Sequence, residues 1–442
     1  MRIIRLNELG RDGIRELVRR EVISEELIRK VEDVINCVRF RGDECLREFL
    51  RDFYGIEGDV DLRVTEGEFL KAYDLVSNSL VNALEVAIQN LREVQRSILP
   101  KELVINDLGG FYVGYLVRTV ESVGIYVPGG KAPYPSTAIM TSVPAVVAGV
   151  PKVVVCTPPR GRDGSVDPAV LVALDLVGVR EVYRLGGAHA VAAMAYGTES
   201  VPRVAKIVGP GGSWVTTAKY LVKGVVDIDM IAGPSEVVVL ADESVNPKLV
   251  ALDMVAQAEH DELATAALVT TSDSLAREVV KCIEEVINEL PKDRGLTARK
   301  SLSSRGFVLV TNDLKEAIEF INEYAPEHLE VIVKPEDVPY VLSKLVNVGS
   351  VTIGELACTA LSDYSLGTNH VLPTSGWARV RGGLSVYDFI KFVEVAYVSR
   401  DGLLKVGRVS ELIANYEGFS GHALSIRERI NSLVKLGGGR DG

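Results

Sequence analysis

Val123-Gly-Ile-Tyr-Val-Pro-Gly-Gly130 is a short β-branched run that ends in a proline and a glycine pair. The same texture returns through the middle of the chain, in Val153-Val-Val-Cys156, Lys206-Ile-Val208, Glu236-Val-Val-Val-Leu240 and Ala267-Leu-Val-Thr270. It continues in Phe307-Val-Leu-Val310, Leu329-Glu-Val-Ile-Val333 and Ser350-Val-Thr-Ile353. Nearly unbroken apolar strands separated by Ala-rich helical stretches are what parallel sheets covered on both faces require. The expected class is therefore α/β. Several runs end in glycine turns: Pro128-Gly-Gly130, Gly186-Gly187, Gly209-Pro-Gly-Gly212 and Ala232-Gly-Pro-Ser235. Ligands of open α/β sheets bind beyond the carboxyl ends of strands, so these turns are the first places to search. None is a GxGxxG, and a tight turn needing positive φ accounts for each as well as a phosphate contact does.

On either side of this region the pattern is helical. Glu26-Leu-Ile-Arg-Lys-Val-Glu-Asp-Val-Ile35 and Ala83-Leu-Glu-Val-Ala-Ile-Gln-Asn-Leu91 carry apolar residues at three- and four-residue spacing. The first hundred residues read as helices, and so does the segment from about Leu384. The last residues, Gly437-Gly-Gly-Arg-Asp-Gly442, read as a disordered end.

A chain of 442 residues is too long for one simple core and should divide into two main domains. A hydrophobic content of 47% with 25% charged residues is ordinary for a soluble globular protein. The net charge of −11 argues against a general nucleic-acid binder, which needs a basic face. Met1-Arg-Ile-Ile-Arg-Leu-Asn-Glu8 lacks a signal-peptide core. The most apolar stretch, Ala138 to Val150, is too short to span a bilayer, so no membrane role is expected. Cys37, Cys45, Cys156, Cys282 and Cys358 form no CxxC and are odd in number. Free thiols in a reducing cytoplasm fit them better than a disulfide framework.

The chain has five histidines: His189, His260, His328, His370 and His422. Each stands beside glycine, carboxylate or amide neighbours. A single one is as well explained as a cap or a satisfied core residue, but five in such company point to acid–base or metal chemistry. Asn246-Pro247 reads as a helix start, and the apolar pattern then runs to Gln257 and His260. Three apart on one helix face, these two have Cβ atoms about 5–6 Å apart and can reach one metal ion. Glutamine is a poor ligand, so a metal there needs further partners, of which Asp363 and His422 are the best candidates, and zinc or a related first-row ion suits such donors. Nothing local brings Asp363 or His422 to His260. Pro326-Glu327-His328 supplies two proton acceptors of different pKa at one point, although a solvated loop pair is also a fair account. Asp363-Tyr-Ser-Leu-Gly-Thr-Asn-His370 is polar between apolar flanks, which is costly to bury unless it builds a site.

With these residues the chain resembles the histidinol dehydrogenase family over essentially its whole length. The motifs are Gly124-Ile-Tyr-Val-Pro-Gly-Gly-Lys-Ala-Pro-Tyr-Pro-Ser-Thr137, Ala232-Gly-Pro-Ser-Glu236, Gln257-Ala-Glu-His260 and Asn322-Glu-Tyr-Ala-Pro-Glu-His328. Gly367-Thr-Asn-His-Val-Leu-Pro-Thr374, Leu384-Ser-Val-Tyr-Asp-Phe389 and Glu417-Gly-Phe-Ser-Gly-His422 complete them. The resemblance implies two Rossmann-like, doubly wound parallel-sheet domains with an N-terminal helical segment and a C-terminal helical tail. Its implied limits are 1–27 for the first segment and 28–125 with 239–383 for the main domain. An inserted NAD-binding domain spans 126–238, and a dimerisation tail spans 384–442. The implied activity is the zinc-dependent, NAD-linked oxidation of L-histidinol through histidinal to L-histidine, in the cytoplasm. Gln257, His260, Asp363 and His422 match the ligands of one zinc ion per subunit. His328 is similar to the base of the alcohol step and Glu327 to the activator of water. Ser235, His370 and Glu417 match substrate contacts, and Tyr126, His189 and Gly212 match positions facing NAD. The family is a homodimer whose tail supplies Glu417 and His422 to the neighbouring site.

This sequence departs from the pattern where His189 replaces a usual glutamine and Gly212 a usual asparagine. Before Asp363 the usual Pro-Glu and Gly are Cys358-Thr359 and Ser362. These departures leave open a paralogue oxidising another small polar alcohol, such as a sulfonated diol. A non-catalytic metal-binding dimer would have lost Glu327 or His328, and both are present.

Overall fold

The computed structural model describes residues 1–18, 23–57, 60–129 and 132–437. The expected disordered end after Gly437 and the turn residues Gly130 and Lys131 lie outside these. Contacts divide the chain into two compact units, Met1–Ile98 with Val120–Phe389, and Leu99–Thr119 with Ile390–Gly442.

The first unit holds two parallel sheets. One runs in the order Arg2–Arg5 (β1), Phe307–Val310 (β11), Thr265–Thr270 (β10), Glu236–Ala241 (β9), His328–Ile332 (β12), Ser350–Ile353 (β13). The other runs Val182–Arg184 (β6), Val153–Thr157 (β5), Val123–Tyr126 (β4), Lys206–Val208 (β7), Asp227–Ile228 (β8). In each, the strand order reverses at one strand, β9 or β4, which makes a switch point on either side of which the connections depart in opposite directions. Every residue of β9 and β10 is buried, which explains why the sequence shows apolar runs and no alternation. The two-residue period appears instead in which core each residue joins. Val237, Val239 and Leu268 face one cluster, and Val238, Leu240 and Val269 face the other. Each such side chain contributes about 1.5–3 kcal/mol by leaving water.

Most of the first hundred residues are helical as expected, with β1 the difference. Arg2–Arg5 pairs with Phe307–Val310 as an edge strand, and only four residues cannot show a period. Helices Glu25–Arg41 and Asp43–Tyr54 cover one face of the β4–β8 sheet, and Glu66–Leu75 and Asn78–Ile98 cover the other. Residues 25–98 therefore pack mainly with the 126–238 region, while Asn90 also donates to the Ser365 carbonyl at 2.8 Å.

The second unit, taken by itself, is an antiparallel sheet of Leu103–Asp107 (β2), Phe111–Thr119 (β3) and Ile390–Val398 (β14), plus the helix pair Arg400–Tyr416 and Ser420–Gly437. The purely helical reading from Leu384 is corrected here by β14. Lys391 and Glu394 stand three apart, as on a helix, and Phe392, Val393, Tyr397 and Val398 are exposed in the single chain. No burial alternation marks the strand. Among the described residues no helix is long and apolar enough to cross a membrane.

The expectation of five free thiols is also corrected. Cys37 and Cys45 form a disulfide with their Cα atoms 5.9 Å apart, while Cys156, Cys282 and Cys358 are free. The bridge joins the end of helix Glu25–Arg41 to the start of helix Asp43–Tyr54 across Gly42. Residue parity cannot reveal two cysteines brought together by a helical hairpin. Closing this short loop restricts the unfolded chain, so reduction should cost roughly 2–3 kcal/mol. A denaturation midpoint that is the same with and without reductant would show that the bridge adds no stability.

Candidate active site

The amino ends of β9 and β12 lie side by side, with His328 opposite Val237 in the ladder. Ser235 and Glu236 open β9, and Glu327 and His328 open β12. Glu236 donates its backbone N–H to Glu327 Oε2 at 2.7 Å, and Ser375 donates its N–H to Glu236 Oε1 at 3.2 Å. Helix Pro247–Ala258 runs back from the far end of β9, capped as expected by the Asn246 side chain on Lys248 N–H. Because a helix returning to a parallel sheet ends at the strands' amino side, it delivers Gln257 to the same edge. The helix stops at Ala258, so His260 lies just beyond it and not on its face. A bond from His260 N–H to Gln257 O at 3.3 Å continues the turn and keeps the two residues together.

Asp363 sits on the short helix Thr359–Tyr364. The start of that helix is held by Glu330, whose Oε1 accepts the Thr359 N–H at 2.6 Å. His370 Nδ1 donates to the Asp363 carbonyl at 2.8 Å, which fixes the tautomer. Its Nε2 is then free to accept the Thr137 hydroxyl at 3.1 Å. Thr137 belongs to helix Pro135–Ala148, which follows β4 of the other sheet.

These residues enclose a cavity of about 320 Å³. Ser235, Gln257, His260, Glu327, His328, Asp363 and His370 line it. Pro128, Pro210, Gly211 and Gly212 close it from the carboxyl ends of β4 and β7, at the switch point of the second sheet. The carboxyl-end expectation thus holds for the β4–β8 sheet, while the β9–β13 sheet contributes its amino ends.

Burial sets the electrostatics. Glu327 is pushed well above the usual carboxylate range by desolvation. The Glu236 N–H opposes this, while the nearby carboxylates of Glu236 and Asp363 add to it. Asp363 rises to about 7 through desolvation and the charge of Glu330. The imidazoles move the other way. His328 falls to about 3 and His370 to about 4 as they are desolvated, with neighbouring imidazoles adding to the effect. His260 opens on the cavity yet is also held below its usual value, mainly by desolvation. His328 Nε2 and Asp363 Oδ1 stand 3.7 Å apart. With His328 neutral and the two atoms too far apart for a hydrogen bond, they are not an ion pair.

Asp363 Oδ1 is buried without a hydrogen-bond partner, an uncommon state that calls for a ligand or ion. Among the described residues no group of three or more His, Cys, Asp or Glu side chains is gathered for a metal. Gln257, His260 and the orphaned Asp363 oxygen nonetheless face one cavity, a donor set that fits zinc once a further ligand joins.

The remaining expected residues stand elsewhere. His189 does not line the cavity, and its ring stacks on Phe49 at 3.8 Å, where burial holds it down to about 4. Tyr126 is buried, accepts the Gly187 N–H on its hydroxyl at 3.2 Å, and is pushed up to about 12 by burial. Glu417 and His422 belong to the second unit, where both are exposed. Sequence reasoning passed over Thr137, Glu236, Glu330 and Asp253. Glu330 was detectable as a carboxylate inside a buried strand, where an unpaired charge is rarely tolerated. Asp253, lifted to about 8 by burial and by Glu330, is its partner.

A family model described as histidinol dehydrogenase matches residues 17–430. The histidinol dehydrogenase of Methanothermobacter thermautotrophicus is 44% identical, over 97% of this chain and 99% of that protein. That of Archaeoglobus fulgidus is 45% identical, over 94% of this chain and 98% of that protein. The solved histidinol dehydrogenase of Elizabethkingia anophelis superposes with a TM-score of 0.93 at 33% identity, covering 98% of each chain. With matches of this length and closeness, the chain belongs to the histidinol dehydrogenase family.

Proposed function

We propose that the chain is an NAD-dependent dehydrogenase that oxidises L-histidinol through histidinal to L-histidine, the last step of histidine biosynthesis, in the cytoplasm. The observation that carries the reading is the adjacency of Glu327 and His328, shifted in opposite directions within one cavity. A neutral imidazole accepts a proton, so His328 takes the hydroxyl proton while the carbinol carbon passes hydride to NAD+. Glu327, once deprotonated, takes a proton from the water that attacks the aldehyde carbon. The hydrated aldehyde then passes hydride to a second NAD+, so one histidinol and one water yield histidine, two NADH and three protons. His370 is held by Asp363 O and Thr137, and with Ser235 it orients the substrate.

Gln257, His260, Asp363 and His422 would hold one zinc ion, which supplies a Lewis-acid anchor for the substrate's imidazole and amine. Because Glu417 and His422 are exposed in their own unit, a homodimer in which each tail completes the other subunit's site is the reading we favour. Supporting it, Val104, Tyr115 and Phe392 stand exposed on one face of that unit's sheet, an apolar surface of the kind that marks an interface.

For the cofactor, we assign the β4–β8 sheet, with Gly212 at the cavity and Tyr126 and His189 supporting the turn beyond β6 from behind. A Cβ at Gly212 meets nothing within 4 Å. Gly212→Asn should therefore fold normally and lower the KM for NAD+ by up to about tenfold, the worth of one added hydrogen bond. An unchanged KM would mean that the glycine is compensated elsewhere.

A paralogue oxidising a sulfonated alcohol would want a cation at the cavity, and no Lys or Arg is among the described residues that line it. The deciding assay is NADH production with L-histidinol against a panel of small polar alcohols. Faster turnover of any other alcohol overturns the histidinol reading.

A further inference from the structure

Behind the cavity turn Gly209-Pro-Gly-Gly212 lies a fully buried ion pair. Lys219 comes from helix Ser213–Val222, and Asp229 from the residues just after β8. Their side chains are 3% and 0% exposed and touch each other directly. Both also bind the same residue. Asp229 Oδ2 accepts the Gly209 N–H at 2.7 Å, and Lys219 Nζ donates to the Gly209 carbonyl at 2.9 Å. Gly209 has φ +115, and a Cβ there would lie 2.2 Å from the Tyr126 carbonyl oxygen. The residue is thus pressed against β4 at the switch point, in a conformation open to glycine alone. Thr216, one turn into the same helix, adds a bond to the Ala232 carbonyl at 2.8 Å.

A buried ion pair is poor value for stability, because well-packed apolar residues of similar volume often do as well. What an apolar pair could not do is grip one residue by both its N–H and its carbonyl. We infer that Lys219 and Asp229 are positioning residues for the cofactor, clamping Gly209 so that Pro210, Gly211 and Gly212 are held where the dinucleotide passes. This rests on the proposed reading of that turn as the NAD site.

The test uses the zinc-loaded full-length enzyme carrying Lys219→Met together with Asp229→Leu, which removes both charges at once and leaves none buried alone. The KM for NAD+ and its dissociation constant should rise about tenfold or more, with kcat at saturating NAD+ and the KM for histidinol within about twofold. Lys219→Met combined instead with Asp229→Asn keeps an acceptor for the Gly209 N–H, again leaves no charge buried alone, and should return part of the affinity. Gly212→Trp is the control for the underlying reading, since its side chain starts in open space and would fill the turn's mouth. If Gly212→Trp weakens NAD+ binding and the double variant does not, the clamp is overturned while the cofactor site stands. If Gly212→Trp has no effect, the cofactor reading falls and the clamp with it. A double variant that fails to fold also overturns the proposal, because the pair is then structural.

Discussion

His328→Asn should slow oxidation of the alcohol by roughly 10²–10⁴-fold, the usual worth of a positioned general base, and spare a supplied aldehyde far more. Glu327→Gln should do the reverse, leaving the first hydride transfer near normal and impairing aldehyde oxidation. The reason lies in the amino end of β12. Both side chains are buried there, and burial disfavours charge, so the imidazole is held down to about 3 and the Glu327 carboxyl is pushed well above its usual range. His328 is therefore a competent base throughout the neutral range and sets no acid limb near pH 6 to 7. Glu327 must lose a proton before it can activate water. In the wild type, aldehyde oxidation should rise with pH through the raised Glu327 value, and that limb should vanish in Glu327→Gln. Transient kinetics with histidinol and histidinal separately measure both halves. Equal losses in both half-reactions for both variants would refute the division of labour.

Loss of the metal should be as severe. Exhaustive chelation should abolish histidinol turnover, and Asp363→Ala should weaken zinc binding by at least about 100-fold, more than the loss seen on removing outer-shell partners alone. Elemental analysis and competition with a chromogenic chelator read the affinity without reference to activity. Full zinc content in Asp363→Ala would remove this residue from the ligand set. The stability of the zinc-free protein carries an independent signature. Asp363 at about 7 and Asp253 at about 8 hold protons in the folded state that the unfolded chain has released. Groups raised in this way stabilise the fold below their unfolded values, and that stability is lost as pH climbs through the folded ones. The buried imidazoles act oppositely, but their difference from the unfolded chain is spent once pH passes about 7. Between about pH 7 and 8 the zinc-free protein should accordingly lose stability as pH rises, by up to about 1.4 kcal/mol per unit for each proton still held. Zinc held by Asp363 would require its carboxylate form, so adding the metal should flatten the slope. A slope that is the same with and without metal would separate Asp363 from the ion.

Most strands of the two parallel sheets were legible because burial on two faces makes them continuous apolar runs, while β6 and β8, of three and two residues, were too short to be read. The capped start at Asn246 and the Glu327-His328 pair were legible for the same local reason. Elsewhere the signal was absent or misleading. β1 is too short to show a period, and β14 leaves apolar residues exposed within one chain. The cysteines at 37 and 45 are joined by a helical hairpin that no count of residues describes. The site itself depends on convergence between elements remote in sequence. Thr137 from one sheet's helix meets His370, Glu236 N–H meets Glu327, and Glu330 holds the helix that carries Asp363. Periodicity reports which face of an element is buried, and motifs report which side chains can do chemistry. Which strand ends face the same cavity, and which carboxyls and imidazoles lose their water there, follows from packing alone. Those contacts are where the pKa values, the orphaned Asp363 oxygen and the grip on Gly209 arise.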